Sequence, residues 1–209
     1  MSLILALARK IVFTTDRVRG GTWSTDPLIP IKRLSECTLG IVGLGRIGST
    51  VATRALPFFK QVIAADPYIP EICFGDNCVQ QATHEEVYEE ADFVTLHVPL
   101  TEETHHLINA EVFARMKPAA YLINTSRGAV VDTEALVAAL REGRLAGAGL
   151  DVHEQEPLPR DHPLRSFPQV ILTPHAAFYS EEAVAEVRRD TCVNVVRVLK
   201  GEAPINRVV

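Results

Sequence analysis

A short apolar run, Leu39-Gly40-Ile41-Val42, leads into Gly43-Leu44-Gly45-Arg46-Ile47-Gly48, and a single acid, Asp66, stands 18 residues past the last of these glycines. Glycines spaced GxGxxG between a strand and a helix suit the grip of a pyrophosphate. Gly43 permits a tight turn, Gly45 lets backbone approach the phosphates, and Gly48 lets the helix pack closely on the sheet. The N-terminus of the helix that follows, with Arg46 and Ile47 in the turn before it, would offer free N–H groups and a partial positive charge. Asp66, closing the next apolar run, Val62-Ile63-Ala64-Ala65, is placed to accept hydrogen bonds from ribose hydroxyls. The same carboxylate repels a 2′-phosphate, and Pro67-Tyr68 brings no arginine to bind one. The cofactor this pattern favours is NAD rather than NADP.

Three later stretches carry polar residues where apolar runs end. In Asn124-Thr125-Ser126-Arg127-Gly128, the permanent charge and forked donors of Arg127 suit a substrate carboxylate. Leu150-Asp151-Val152-His153-Glu154-Gln155-Glu156-Pro157 closes another run with acids. Leu172-Thr173-Pro174-His175-Ala176-Ala177-Phe178 fixes a histidine behind a proline and leaves room beside it. A histidine so placed is suited to moving a proton near neutral pH.

The elements that must position these groups alternate. Strands are expected at Leu39–Val42, Val62–Ala65, Phe93–Val98, Tyr121–Asn124, Gly147–Val152 and Val170–Leu172. Helices are expected over Ser49–Leu56, after the capping box Thr83-His84-Glu85-Glu86, over Thr133–Glu142 and over Glu181–Leu199. Leu3, Ile4, Leu7, Ala8, Ile11 and Val12 follow one helical stripe at the start of the chain. Near-continuous apolar strands between helices imply an α/β fold with a doubly wound parallel sheet of the Rossmann type. In such sheets ligands bind where the strands end, which is where the polar stretches fall.

Composition narrows the functional classes. The 209 residues are 47% hydrophobic and 22% charged, as in an ordinary globular protein, and the formal net charge of −5 offers no basic stripe for nucleic acid. No segment approaches a membrane span, and the expected compartment is the cytoplasm. The four cysteines, Cys37, Cys73, Cys78 and Cys192, are scattered, which favours free thiols, and Cys192 on the last helix is expected to be buried. Cys73, Cys78 and His84 match no zinc spacing, so no metal is expected.

The ordered set GLGRIG, LHVPLT, LINTSRGAVVD, GAGLDVHEQEP and TPHAA resembles the D-isomer-specific 2-hydroxyacid dehydrogenases over nearly the whole chain. DVHEQEP and TPHAAFYSEE are most similar to the branch that holds the C-terminal-binding-protein corepressors and their bacterial relatives. The resemblance implies that Arg127 holds the substrate carboxylate, His175 is the general acid or base, Glu156 pairs with His175, and Asp151 sits by the nicotinamide. It further implies that Val98, Thr125, Ser126, His175 and Ala177 line the bound cofactor. Glu154 competes with Glu156 for the acidic role, and the position just before Pro157 favours Glu156. His97, His105, His106 and His153 are expected to pack or to face solvent.

The implied activity is hydride transfer between NAD and a small 2-hydroxy or 2-keto acid. The alternative is an NAD-sensing dimeric interaction protein of the corepressor type. Residues 1–178, with a linking helix and loop over 1–37, are expected to form the cofactor domain, and 179–209 a helix and tail returning to a substrate lobe. That N-terminal lobe is expected to be missing, so these residues alone should bind NAD and turn over poorly. A homodimer is expected through the cofactor domain, with Leu3, Ile4 and Leu7 in its interface. Two departures from the family pattern stand out: Leu56-Pro57-Phe58-Phe59-Lys60 lacks a glycine usual at that helix end, and Phe178 replaces the corepressor branch's tryptophan.

Overall fold

A computed structural model describes residues 1–69 and 79–205. Its strands are β1 (Thr38–Val42), β2 (Gln61–Ala65), β3 (Gln80–Gln81), β4 (Phe93–Leu96), β5 (Tyr121–Asn124), β6 (Gly147–Leu150) and β7 (Val170–Leu172). They form one sheet in the order β3-β2-β1-β4-β5-β6-β7, every pair parallel. The order reverses direction between β1 and β4, the switch point at which open α/β sheets receive ligands.

Both faces of the sheet are covered. In β1, Ile41 joins a cluster with Ile4, Leu7, Ala52, Phe59 and Ile123, while its neighbour Val42 joins another with Val94, Phe113, Leu122 and Leu136. β2 divides the same way, Val62 and Ala64 on one side and Ile63 and Ala65 on the other. Side chains alternate across a strand, so a run that is apolar at every position needs a core on each face.

The helices of the described residues are α1 (Ser2–Ala8), α2 (Ile11–Arg19), α3 (Arg46–Ala55), α4 (His84–Glu90), α5 (Ala110–Arg115), α6 (Thr133–Arg141) and α7 (Glu181–Leu199). Capping decides where several of them begin. The Thr83 hydroxyl accepts from the Glu86 N–H (3.1 Å), and the Glu86 carboxylate accepts from the Thr83 N–H (2.7 Å), the reciprocal box expected before α4. Asn109 accepts from the N–H groups of Glu111 and Val112 and starts α5. Asp132 accepts from the Ala135 N–H and starts α6.

The expected first helix is two. Lys10 takes a left-handed conformation (φ 48°) between α1 and α2, so the stripe does not continue. Ile4, Leu7 and Ala8 face the core, whereas Ile11 and Val12 are exposed. Ile4 and Leu7 are therefore core residues rather than the interface positions expected of them. β4 and β6 each stop two residues short of expectation, the chain leaving the ladder at His97 and Asp151.

The chain divides into two compact units, Met1–Pro174 and His175–Val209. The division expected after Phe178 lies inside the second unit, which contains α7. Ser180 caps α7 by accepting from the Ala183 N–H (3.0 Å), and the helix has no buried residue. Cys192, expected to be buried, is exposed there, while Cys37 is buried. Cys73 and Cys78 lie outside the described residues. Among the described residues no helix is long and apolar enough to cross a membrane.

Asp92 fastens the opposite edge of the sheet. Its buried carboxylate accepts from Lys32 Nζ (2.8 Å) and the Thr38 N–H (3.0 Å), with Lys117 Nζ 3.6 Å away. Burial pulls its pKa up, but Lys32, the Thr38 amide and Lys117 together hold it below the ordinary 3.8. A depressed acid stabilises the fold fully above its unfolded pKa and loses that contribution as pH falls below it. Asp92→Asn is expected to cost about 1–3 kcal/mol at neutral pH. Thermal melts should show the gap to the parent chain narrowing below about pH 4. A gap independent of pH would show that the charge does not matter there.

Candidate active site

Parallel strands bring their carboxyl ends to one edge, so the loops after β1, β2, β4, β5 and β6 share it. The glycine loop follows β1. Gly43 has φ 91°, and a Cβ there would lie 2.9 Å from the His97 carbonyl. A Cβ on Gly48 would lie 2.0 Å from the Gly43 oxygen, so loop and α3 are in direct backbone contact. At Gly45, by contrast, nothing lies within 4 Å of a Cβ position. That open space faces solvent beside the first turn of α3, which begins at Arg46 without a side-chain cap. Three glycines thus do three different jobs, and the middle one leaves the room a phosphate needs. Uncapped N–H groups beside open space fit a dinucleotide.

The helix starts three residues earlier than expected, at Arg46 rather than Ser49, because the glycine turn itself supplies its N-terminus. Arg46 and Ile47 are exposed on its first turn. Asp66 lies just past β2; one oxygen accepts from the Leu44 N–H (2.8 Å) and the other from the Tyr68 N–H (2.9 Å). The acid therefore braces the glycine loop, and its remaining lone pairs can accept from ribose hydroxyls. Val98, half-buried after β4, would lie 2.9 Å from a Cβ on Gly43, so it adjoins the cradle.

His97 is pushed down to about 4, chiefly by burial and further by the Met1 ammonium, and its ring lies 3.1 Å from the Thr95 hydroxyl. It is a neutral packing histidine behind the glycine loop, in line with expectation.

The loop after β5 is organised by Asn124, a residue that sequence reasoning passed over. Its buried side chain accepts from the Ser126 N–H (3.0 Å) and hydroxyl (2.9 Å) and donates to the Arg127 carbonyl (2.8 Å). Thr125 and Ser126 are half-buried in this turn and Arg127 is exposed beyond it, donating from Nη1 to the Ser126 carbonyl (2.7 Å). A polar residue ending a buried strand was the available signal, since such a group must find partners.

Gly128 then meets the loop after β6. A Cβ at Gly128 would fall 2.0 Å from the His153 carbonyl carbon and 2.4 Å from the Glu154 nitrogen. Two stretches distant in sequence, the one with the arginine and the one with the acids, are therefore in backbone contact. Asp151 is buried and accepts from the Thr173 hydroxyl (2.5 Å). Glu156, exposed, accepts from the His153 N–H (2.9 Å). Glu154 turns elsewhere, to the Thr133 N–H (2.7 Å) and towards His106 (3.4 Å). His105 and His106 stack with centroids 4.0 Å apart. His153 is half-buried, and burial lowers its pKa against the opposing pull of Glu156.

His175 opens the second unit with φ 54°, and Phe178 meets its ring edge-on at 6.3 Å. Histidine tolerates the left-handed region better than most residues. Ala176 and Ala177 are exposed, and the Ala176 carbonyl accepts from the Tyr179 N–H (3.0 Å) in the following turn.

Residues 1–177 match the family described as D-isomer specific 2-hydroxyacid dehydrogenase, NAD binding domain. The chain belongs to this family. It is 45% identical over 210 residues to the glyoxylate reductase of Korarchaeum cryptofilum, covering 99% of this chain and 63% of that protein. It is 41% identical over 209 residues to the D-3-phosphoglycerate dehydrogenase of Methanocaldococcus jannaschii, covering all of this chain and 40% of that one. The D-lactate dehydrogenase of Aquifex aeolicus, solved with NAD and lactic acid, superposes with a TM-score of 0.88 at 36% identity over 96% of this chain and 65% of that one. The chain thus spans less than two thirds of the length of each. Membership in an NAD-binding family agrees with the open space at Gly45 and the acid at Asp66.

Proposed function

We propose that this 2-hydroxyacid dehydrogenase chain serves an NAD-dependent oxidoreductase that interconverts a small 2-keto acid and its D-2-hydroxy acid. The observation that carries the proposal is the contact at Gly128, which joins the arginine loop to the acidic loop at the sheet edge holding the glycine cradle. NADH, when bound, supplies the hydride. Gly43, Gly45 and Gly48 with the first turn of α3 would hold its pyrophosphate, and Asp66 its adenosine ribose. Val98, Thr125, Ser126, Asp151 and Ala177 would line it toward the nicotinamide.

The protein's own residues then divide the work. Arg127 holds the substrate carboxylate bidentately and polarises the carbonyl without competing for a proton. His175 gives its proton to the carbonyl oxygen as that oxygen takes up the electron pair, and recovers one in the reverse direction. Glu156 stabilises the imidazolium before transfer.

The relatives' names, glyoxylate reductase and phosphoglycerate dehydrogenase, support turnover over the sensing role of the corepressor branch. The test is NADH consumption by the catalytically competent protein with glyoxylate, pyruvate and hydroxypyruvate. Turnover with at least one acid is expected. Tight NADH binding without turnover on any 2-keto acid would overturn the enzyme and favour the sensor.

A homodimer is part of the proposal, with its interface moved from α1 to the face beyond it. Ile11, Val12, Val18 and Trp23, along α2 and the following loop, are exposed apolar side chains on adjacent stretches of chain. Sedimentation at micromolar concentration should report a dimer that Trp23→Glu weakens; a monomeric parent would end this part of the proposal.

A further inference from the structure

The motif DVHEQEP carries two glutamates, and the reading above uses only one. We infer that Glu154 is a positioning residue: its carboxylate clamps the acidic loop to the first turn of α6 and to His106, and so sets where Glu156 stands. The inference rests on the reading of Glu156 as the partner of His175.

The side chain of Glu154 is two-thirds covered although the residue lies at the surface. One oxygen accepts from the Thr133 N–H at 2.7 Å. Thr133 is the first residue of α6, and the helix's own cap, Asp132, serves a different amide, that of Ala135. Two carboxylates thus share one helix start, each taking an amide the other does not reach. The other Glu154 oxygen lies 3.4 Å from His106 Nε2, an ion-pair distance without hydrogen-bond geometry.

His106 is itself fixed. Its N–H donates to the Ala129 carbonyl at 2.8 Å, its φ is 50°, and His105 stacks on its ring. Two residues on, Ile108 bridges to Val131, and the Asp132 N–H donates to the Ile108 carbonyl. The segment after β4 is therefore laced to the segment that follows Arg127. Gly128 closes the third side, since backbone meets backbone there at His153 and Glu154.

Loops from β4, β5 and β6 thus converge on one carboxylate that does no chemistry in the proposed reaction. Glu156 hangs from the same clamp: its oxygen accepts the His153 N–H, and His153 adjoins Glu154 in the chain. Releasing Glu154 frees the turn that aims Glu156. A plain helix cap would change stability alone, whereas a clamp on the acid–base pair changes kcat as well.

Glu154→Ala in the catalytically competent protein is expected to lower kcat about 10- to 100-fold, the effect of an ångström-scale misplacement, with NADH affinity unchanged. Glu154→Gln, whose carbonyl oxygen still accepts from Thr133, should recover to within a few-fold. Thr133→Pro provides an independent variant. Proline is welcome at the first helical position and removes only the donor, and Asp132 already has the extended conformation that a following proline requires (ψ 108°). It should reproduce the kcat loss with α6 intact. Full kcat in both Glu154→Ala and Thr133→Pro would overturn the inference.

Amide exchange separates this outcome from failure of the functional reading. In Glu154→Ala the His153 amide should exchange about fivefold faster, the scale of a lost cap, while the Leu44 amide, held by Asp66, is unchanged. If the parent protein reduces no 2-keto acid, the functional reading fails and exchange still decides the clamp: unchanged protection at His153 overturns it.

Discussion

Replacing His175 with alanine is expected to lower 2-keto-acid reduction by about 10³-fold, within the range for loss of a positioned general acid, while NADH binds nearly as before. Hydride arriving at the carbonyl carbon leaves an alkoxide, and without imidazole the only proton source is water. The arginine holds charge but gives no proton at neutral pH. The backbone complicates the variant, because His175 has φ 54° and alanine is less at ease there than histidine. His175→Asn resolves this. Asparagine enters the left-handed region readily and cannot relay a proton at this pH, so it should match alanine in turnover while keeping parental stability. Stopped-flow absorbance of NADH would read the rate and fluorescence titration the affinity. Parental turnover in both variants would remove His175 from the chemistry. Weakened NADH binding in both would place it in cofactor retention instead.

The sheet was legible because its strands carry the plainest signal a sequence has. Tyr121–Asn124 and Val170–Leu172 fall where expected, and the alternate residues of β1 and β2 reach two separate cores. The Thr83 box was legible because capping is local chemistry, and α7 runs over the expected Glu181–Leu199. What escaped depends on partners far along the chain. A 3.6-residue stripe runs through Lys10, and nothing local reveals that Ile4 and Leu7 find the sheet while Ile11 and Val12 do not. The place before Pro157 singles out Glu156, but nothing local shows that Glu154 meets the distant Thr133 amide while Glu156 meets that of His153. Asn124 reads as an ordinary strand end and Gly128 as an ordinary loop residue until the turn that one ties and the backbone that the other admits are seen. Cys192 was expected to be buried on the last helix, yet that helix has no buried residue.

The glycine cradle supports the second large effect, and two alanines should act there in different ways. In Gly48→Ala the new methyl would stand 2.0 Å from the Gly43 oxygen, far inside any real contact, and neither can swing aside, since the oxygen is backbone and a Cβ is fixed by the backbone that bears it. Either α3 or the Gly43 turn must move. The turn is also held by the Gly43 N–H donating to the Ala65 carbonyl (2.9 Å) and by the Leu44 N–H donating to Asp66. Moving it therefore disturbs both the phosphate cradle and the acid proposed for the ribose. NADH affinity is expected to fall at least about 100-fold, or about 2.7 kcal/mol, together with a lower melting temperature. In Gly45→Ala the methyl meets open space, so melting should stay near the parental value. The affinity loss should nevertheless be comparable, because that space is where the phosphates must approach the backbone. Differential scanning calorimetry beside NADH titration reads the two effects separately. If Gly45→Ala binds NADH as the parent does, the dinucleotide does not lie over this loop, and the roles assigned along the rest of the sheet edge lose their reference point.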